Sequence, residues 1–200
     1  MITENMDQLS PAWFAARCGI PSASNFGMIL TPTGKPSAQA TKYAYQLAGE
    51  RLTGIKEEGY SNAAMLRGVE MEPEARSYYE FAHDVEVEQV GICYYDKDKS
   101  FSCSPDGLMP DIKRGLEIKC PMLSTHVEYL LGKKLPTIYL PQVMGSMLVT
   151  GYDTWAFLSY YPGMPALDIV VTRDEEYIEK LQRALYDFNQ ELREVIKAIK

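Results

Sequence analysis

Asp106 and Glu117 are two carboxylates that a strand, a turn and a second strand would bring together. Ser104-Pro105-Asp106-Gly107-Leu108 leads into a turn over 110–115, and Leu116-Glu117-Ile118-Lys119-Cys120-Pro121 follows. Pairing the two arms around the turn sets Asp106 opposite about Glu117. Strand alternation puts Leu116 and Ile118 on one face and Glu117 and Lys119 on the other, so Lys119 shares the carboxylates' face. Two convergent carboxylates suit a hard divalent cation such as Mg²⁺, which takes oxygen ligands and keeps several waters. A lysine beside them can position or help deprotonate a bound water, and can neutralise charge on a phosphate under attack. This is an arrangement for hydrolysing a phosphodiester. The same residues also fit a surface hairpin whose edge strand turns Glu117 and Lys119 to solvent, so the pattern depends on its context.

The elements that would position these residues can be read from period and punctuation. Ser10-Pro11 is an N-cap followed by a first-turn proline, opening a short helix with Trp13, Phe14 and Arg17. Ser22 could cap a second helix through Leu30. A third, roughly Ala38 to Leu52, ends at Gly54. After a loop through Gly59, helix returns from Asn62 to about His83 with Pro73 as a kink or junction. The period then changes to that of strands: Val85 to Tyr95, Phe101-Ser102-Cys103 and Leu116 to Lys119 are expected to form a three-stranded antiparallel meander. Helices over Ser124 to Leu131 and Leu140 to Val149 follow, then strands over Thr154 to Tyr161 and Leu167 to Val171. The last segment places Ile178, Leu181, Leu185, Phe188, Leu192, Val195 and Ile199 at alternating three- and four-residue steps. That stripe suits packing on the parent domain, or a coiled coil.

Composition narrows the class. With 200 residues, 46% of them hydrophobic, the chain can bury the core of one α/β (α+β) domain. The N-terminus has neither the basic nor the apolar region of a signal peptide, and no apolar run is long enough to span a membrane, which predicts a cytoplasmic protein. Cys18, Cys93, Cys103 and Cys120 make no metal-binding cluster and no disulfide framework. A net charge of −7 excludes indiscriminate attraction of polyanions, so a nucleic acid would have to be held locally. Lys35, Lys42, Arg51, Lys133 and Lys134 could contribute. No phosphate-cradling loop of the nucleotide-driven motors is present. His83 and His126 carry no assignable role.

SPDGL followed by LEIKCP closely resembles the lambda exonuclease (alkaline exonuclease, YqaJ-type viral recombinase) family of PD-(D/E)xK nucleases. Trp13-Phe14-Ala15-Ala16-Arg17, Gly19-Ile20 and Ser22-Ala23-Ser24 look like that family's N-terminal stretch. Leu66-Arg67-Gly68 with Glu72 and Ala75-Arg76 resembles its helical motif, and Tyr139 with Gln142-Val143 resembles a motif on its later helix.

The resemblance implies a restriction-endonuclease-like core, a central mixed sheet flanked by helices, in a single domain: 1–61 with a 5′-phosphate pocket, 62–172 as nuclease core, 173–200 as terminal helix. It implies that Asp106, Glu117 and the Ile118 carbonyl hold metal with Glu72, that Lys119 is the catalytic lysine, and that Gln142 and Tyr139 support the water or the metal shell. Two Mg²⁺ ions, replaceable by Mn²⁺, would act on the attacking and leaving oxygens. Arg17 and Ser24 look like the pocket for a terminal 5′-phosphate, where a guanidinium fork and a hydroxyl suit a dianion, and Ser104 would touch phosphate. The implied activity is 5′→3′ degradation of linear double-stranded DNA to 5′-mononucleotides, by a ring-shaped homotrimer. The 3′ strand left behind would pass to a phage-type single-strand annealing protein. An endonuclease of the same superfamily, a RecB-like exonuclease, and a DNA-end-binding module that does not cut are the alternatives. The RecB-like kind usually carries four clustered cysteines that this sequence lacks.

Overall fold

The computed structural model describes residues 1–57 and 63–200, and among these described residues turn and cap chemistry sets off seven strands and six α-helices. The expected loop through Gly59 and the helix start at Asn62 lie outside the described residues. In order, the elements are β1 (Ile2–Glu4), α1 (Pro11–Arg17), α2 (Ala40–Thr53), α3 (Ala63–His83), β2 (Ile92–Tyr94), β3 (Ser102–Cys103), β4 (Gly107–Met109) and β5 (Arg114–Lys119). They continue with α4 (Leu123–Gly132), α5 (Leu140–Thr150), β6 (Thr154–Ser159), β7 (Leu167–Thr172) and α6 (Glu175–Ile199). Among the described residues no helix is long and apolar enough to cross a membrane.

Local signals account for many boundaries. Ser10 Oγ accepts from the Trp13 N–H at 3.2 Å, capping α1, and Asp174 caps α6 through the Tyr177 N–H. α2 stops at Gly54, whose left-handed φ of 68° costs glycine little. Pro73 lies within α3 and does not end it. Ser22 caps no α-helix: a 3₁₀ turn spans Ala23–Met28, and the Ser22 side chain makes no capping bond there.

The expected meander is split between two sheets. β1, β2 and β3 form one antiparallel sheet, and β4, β5, β6 and β7 form a mixed one in which only β5 and β6 run parallel. β3 pairs with β2 but not with β5, and of the 85–90 segment only Glu88 makes a bridge, to Leu108. Gly107 permits that bridge, because a Cβ there would sit 2.0 Å from Val87 Cγ1.

Two apolar clusters hold the layers. One is built on α2, α5 and α6 around Phe26, Tyr43, Leu47, Met147, Leu181 and Leu185; the other sets Ala75 and Tyr79 of α3 against Leu116, Ile118, Ala156 and Leu158. The α6 stripe therefore packs on its own domain, with Leu181, Leu185 and Leu192 fully buried. β5 is an inner strand between β4 and β6, and Glu117 is buried, while Lys119 at the end of the strand stays partly exposed.

Candidate active site

The β4–β5 hairpin delivers the two carboxylates as its register dictates. Gly107 pairs with Leu116 and the Asp106 N–H reaches the Leu116 carbonyl at 3.2 Å, which sets Asp106 beside Glu117. Asp106 Oδ2 accepts from the Ile118 N–H at 2.6 Å, locking one carboxylate onto the strand that carries the other. Glu117 is 1% exposed, and its Oε1 accepts from Lys119 Nζ at 2.5 Å and from Gln142 Nε2 at 2.6 Å. Lys119 comes from the same face of β5 and Gln142 from the first turns of α5. The Lys119 ammonium lies 5.2 Å from the centre of the Tyr139 ring, and Tyr139 packs on Phe157 and meets the Tyr129 hydroxyl at 3.3 Å.

From the opposite side α3 supplies Glu72. Arg76 Nη2 donates to Glu72 Oε1 at 2.6 Å, and Arg76 Nε donates to the Asp106 backbone carbonyl at 3.0 Å. Arg76 was part of a motif in the sequence but carried no expected role; its i, i+4 spacing from Glu72 is the signal that could have given it one. Glu72, Asp106, Ile118, Lys119 and Tyr139 line a cavity of about 470 Å³. Glu72 and Asp106 also border a second, about 630 Å³, whose far wall is the 5–9 segment. Glu72 and Asp106 thus stand where two open spaces meet, with Glu117 buried beside Asp106.

Burial raises the Asp106 carboxyl well above its ordinary value, and the charges of Glu117 and Glu72 add to the effect. Burial also raises Glu72, against the pull of Arg76. For Lys119 burial acts to lower the value, but the Glu117 and Asp106 carboxylates outweigh it and the ammonium is held above its ordinary value.

Among the described residues no three His, Cys, Asp or Glu side chains are gathered into a ready cage for a metal. Lys119 and Gln142 hold Glu117 Oε1, and Arg76 holds Glu72 Oε1. The donor set still fits a hard divalent ion, since Asp106, Glu117 and Glu72 offer only oxygen and an open cavity leaves space for its waters. It does not fit a soft metal; Cys120 lines the cavity, but burial pushes its thiol up to about 11.

A second group forms around Arg17 at the end of α1. Its Nη2 donates to Ser22 Oγ at 3.1 Å and Ser24 Oγ at 3.2 Å, and the guanidinium lies 4.2 Å over the Trp13 ring. Arg17 Nε has no hydrogen-bond partner among the described residues. Ser22 belongs to this group; the sequence offered it as a cap and as part of the family-like N-terminal stretch, without a phosphate-binding role. Ser104 is brought close by another route: its Oγ accepts from Trp13 Nε1 at 3.1 Å, so the Trp13 indole stands between Arg17 and the strand that leads to Asp106. Trp13 is a connector that its apolar character concealed. Arg51, one of the surface cations considered for DNA, commits its Nε to the Gly19 carbonyl at 2.7 Å. His126 is fully buried and joins Ser159 to the Pro165 carbonyl, a bracing role.

The profile of the YqaJ-like viral recombinase domain matches residues 12–153. An alkaline exonuclease (LHK-Exo) from Laribacter hongkongensis superposes with a TM-score of 0.86 at 32% identity, over 95% of this chain and 96% of that one. The structure of LHK-Exo in complex with dAMP gives 0.86 at 34% identity, over 96% of each chain. A phage related exonuclease from Haemophilus somnus 129PT shares the fold, with a TM-score of 0.71 at 15% identity over 90% of this chain and 96% of the other. No curated protein sequence matches significantly.

Proposed function

The chain belongs to the YqaJ-like viral recombinase family, and on that premise we propose that it is a Mg²⁺-dependent 5′→3′ exonuclease that degrades one strand of linear double-stranded DNA from its ends to 5′-mononucleotides. It is a nuclease of the alkaline exonuclease type with a PD-(D/E)xK-like fold. The observation that carries the finer reading is the grip of Lys119 and Gln142 on one oxygen of the buried Glu117, beside Asp106 at the edge of an open cavity.

Asp106, Glu117, Glu72 and the Ile118 carbonyl are the groups that would hold Mg²⁺ or Mn²⁺, two ions in the fullest arrangement. Such ions, when bound, supply positive charge at the scissile phosphate and make water a better nucleophile at neutral pH. Lys119 keeps an ammonium at the same spot, where negative charge grows on the phosphate during attack. Gln142 fixes the Glu117 carboxylate, and Tyr139 walls the cavity and faces the Lys119 charge.

Arg17, Ser22 and Ser24 would take the terminal 5′-phosphate, with the unpartnered Arg17 Nε as a further donor. Ser104 would help orient the end between that pocket and Asp106. In this reading residues 1–61 bring the phosphate pocket, 62–172 the cutting site and 173–200 a helix that closes the core. The enzyme would work in the cytoplasm as a homotrimeric ring around the duplex and leave a 3′ single strand for a phage-type annealing protein.

Linear duplexes with 5′-phosphate or 5′-hydroxyl ends, incubated with Mg²⁺ beside closed circles and an EDTA control, test this. Mononucleotide release from the 5′-phosphorylated strand with circles spared is expected. Cut circles indicate an endonuclease, and no metal-dependent product indicates a DNA-binding relative.

A further inference from the structure

A buried carboxylate outside the cutting site bears on the corner that aims Arg17. The chain turns at Gly19, directly after α1 and before Ser22 and Ser24, with φ at +67°. Both polar groups of this residue are taken by consecutive side chains of α2. The Gly19 N–H donates to Glu50 Oε2 at 2.7 Å, and the Gly19 carbonyl accepts from Arg51 Nε at 2.7 Å. A Cβ on Gly19 would lie 2.4 Å from Arg51 Cγ, so the close approach requires glycine as well as its left-handed backbone. A third point of α2, the Tyr43 hydroxyl, accepts from the Ser22 N–H at 3.4 Å.

Glu50 is 2% exposed, an expensive place for a charge unless every lone pair is used. It is well supplied: Lys56 Nζ donates to both oxygens at 3.1 Å, Gln46 Nε2 to Oε1 at 3.1 Å, and the Glu57 N–H to Oε1 at 3.3 Å. Glu50 itself lines neither cavity beside Asp106. Among the described residues its carboxylate reaches the functional corner through the bond to Gly19, two residues from Arg17, and its backbone carbonyl also accepts from Cys18 Sγ there at 3.4 Å. An anion pocket gains from donors fixed before the anion arrives, because ordering them on binding costs affinity.

We propose that Glu50 is a positioning residue for the anion pocket of Arg17, Ser22 and Ser24, acting by fixing the Gly19 peptide; the proposal rests on reading that pocket as the holder of the terminal 5′-phosphate. Lys56 and Gln46 hold the carboxylate in place, Glu50 and Arg51 hold the turn from both sides, and the turn sets the aim of the guanidinium. Glu50 touches no substrate.

The test compares Glu50→Ala, Glu50→Gln, Arg17→Ala and Asn189→Ala in the full chain. Asn189 is a buried side chain of α6 that donates to the Ser100 carbonyl and makes no hydrogen bond to Gly19, Glu50, Arg51 or the Arg17 pocket, so it reports the effect of lost stability. For each variant, kcat and KM are measured on duplexes with 5′-phosphate and 5′-hydroxyl ends, alongside the melting temperature. Arg17→Ala should abolish the preference for phosphate. Glu50→Ala should reduce it about tenfold, the scale of one misaligned charge-assisted contact, through KM on phosphorylated ends and without change on hydroxyl ends. Glu50→Gln, which keeps an acceptor for Gly19, should recover part of the preference and serves if the alanine variant does not fold. Asn189→Ala should melt earlier with its preference intact. Wild-type preference in the folded Glu50 variants while Arg17→Ala has lost it would overturn the role of Glu50 and spare the pocket. Wild-type preference in Arg17→Ala would overturn the phosphate reading and the role of Glu50 with it.

Discussion

Arg76 Nη2 donates to Glu72 Oε1 at 2.6 Å, one turn away on α3, while the Nε of the same guanidinium reaches the Asp106 carbonyl at 3.0 Å. One side chain therefore fixes the distance between the helix carboxylate and the strand carboxylate. Arg76→Ala is expected to weaken Mg²⁺ dependence about 10- to 100-fold, the usual cost of removing a support behind a metal ligand. Arg76→Lys keeps the charge without the fork and should recover only part. Titrating hydrolysis against Mg²⁺ checks both; an unchanged Mg²⁺ midpoint in Arg76→Ala would remove Arg76 from the site.

Gln142 contributes a neutral donor to Glu117, so its replacements separate packing from charge. Gln142→Ala should lower turnover about tenfold or more by freeing Glu117. Gln142→Glu, which sets a second carboxylate against the first, should lower it further. Equal rates for the glutamate variant and wild type would contradict the hydrogen bond as drawn.

The raised carboxyls predict how the metal-free protein responds to pH. A carboxyl whose pKa is higher in the folded chain takes up a proton on folding. Its contribution is fully present below the ordinary aspartate value of 3.8 and is lost as pH rises through the folded value. In EDTA, wild type should therefore lose stability relative to Asp106→Asn as pH climbs above the ordinary aspartate value, because the asparagine cannot ionise. Thermal denaturation of both proteins across that range measures the gap. A gap that stays constant would show that Asp106 does not carry the raised value.

Leu185 is fully buried where α6 meets α2 and α5. Leu185→Ala should cost about 2–5 kcal/mol of unfolding free energy by urea denaturation. A loss well below 1 kcal/mol would mean that α6 is docked loosely and that its stripe serves another partner.

Much of the site was legible because strand geometry is strict. Alternation on β5 separated Glu117 and Lys119 from Leu116 and Ile118, and the turn before it fixed Asp106 opposite Glu117. The α6 stripe was equally clear in its spacing. What could not be read were arrangements that depend on distant segments. β1 is only three residues long and carries no alternation, yet it completes the sheet with β2 and β3 and helps divide the expected meander. Trp13, placed by the sequence on the first helix and in the family-like stretch, is a hydrogen-bonded link to Ser104. Glu50 carries no signal in the sequence, and the approach of Gly19 shows what its buried carboxylate binds.

The most direct test of the account is mononucleotide release from linear duplex DNA in Mg²⁺ by wild type and Lys119→Ala, with DNA affinity measured on the same preparations. Lys119 lies 2.5 Å from Glu117 and faces the cavity beside Asp106. The account predicts that the variant loses turnover by about 10²- to 10⁴-fold while its DNA affinity stays within a few-fold of wild type. Hydrolysis at the wild-type rate by Lys119→Ala would contradict it.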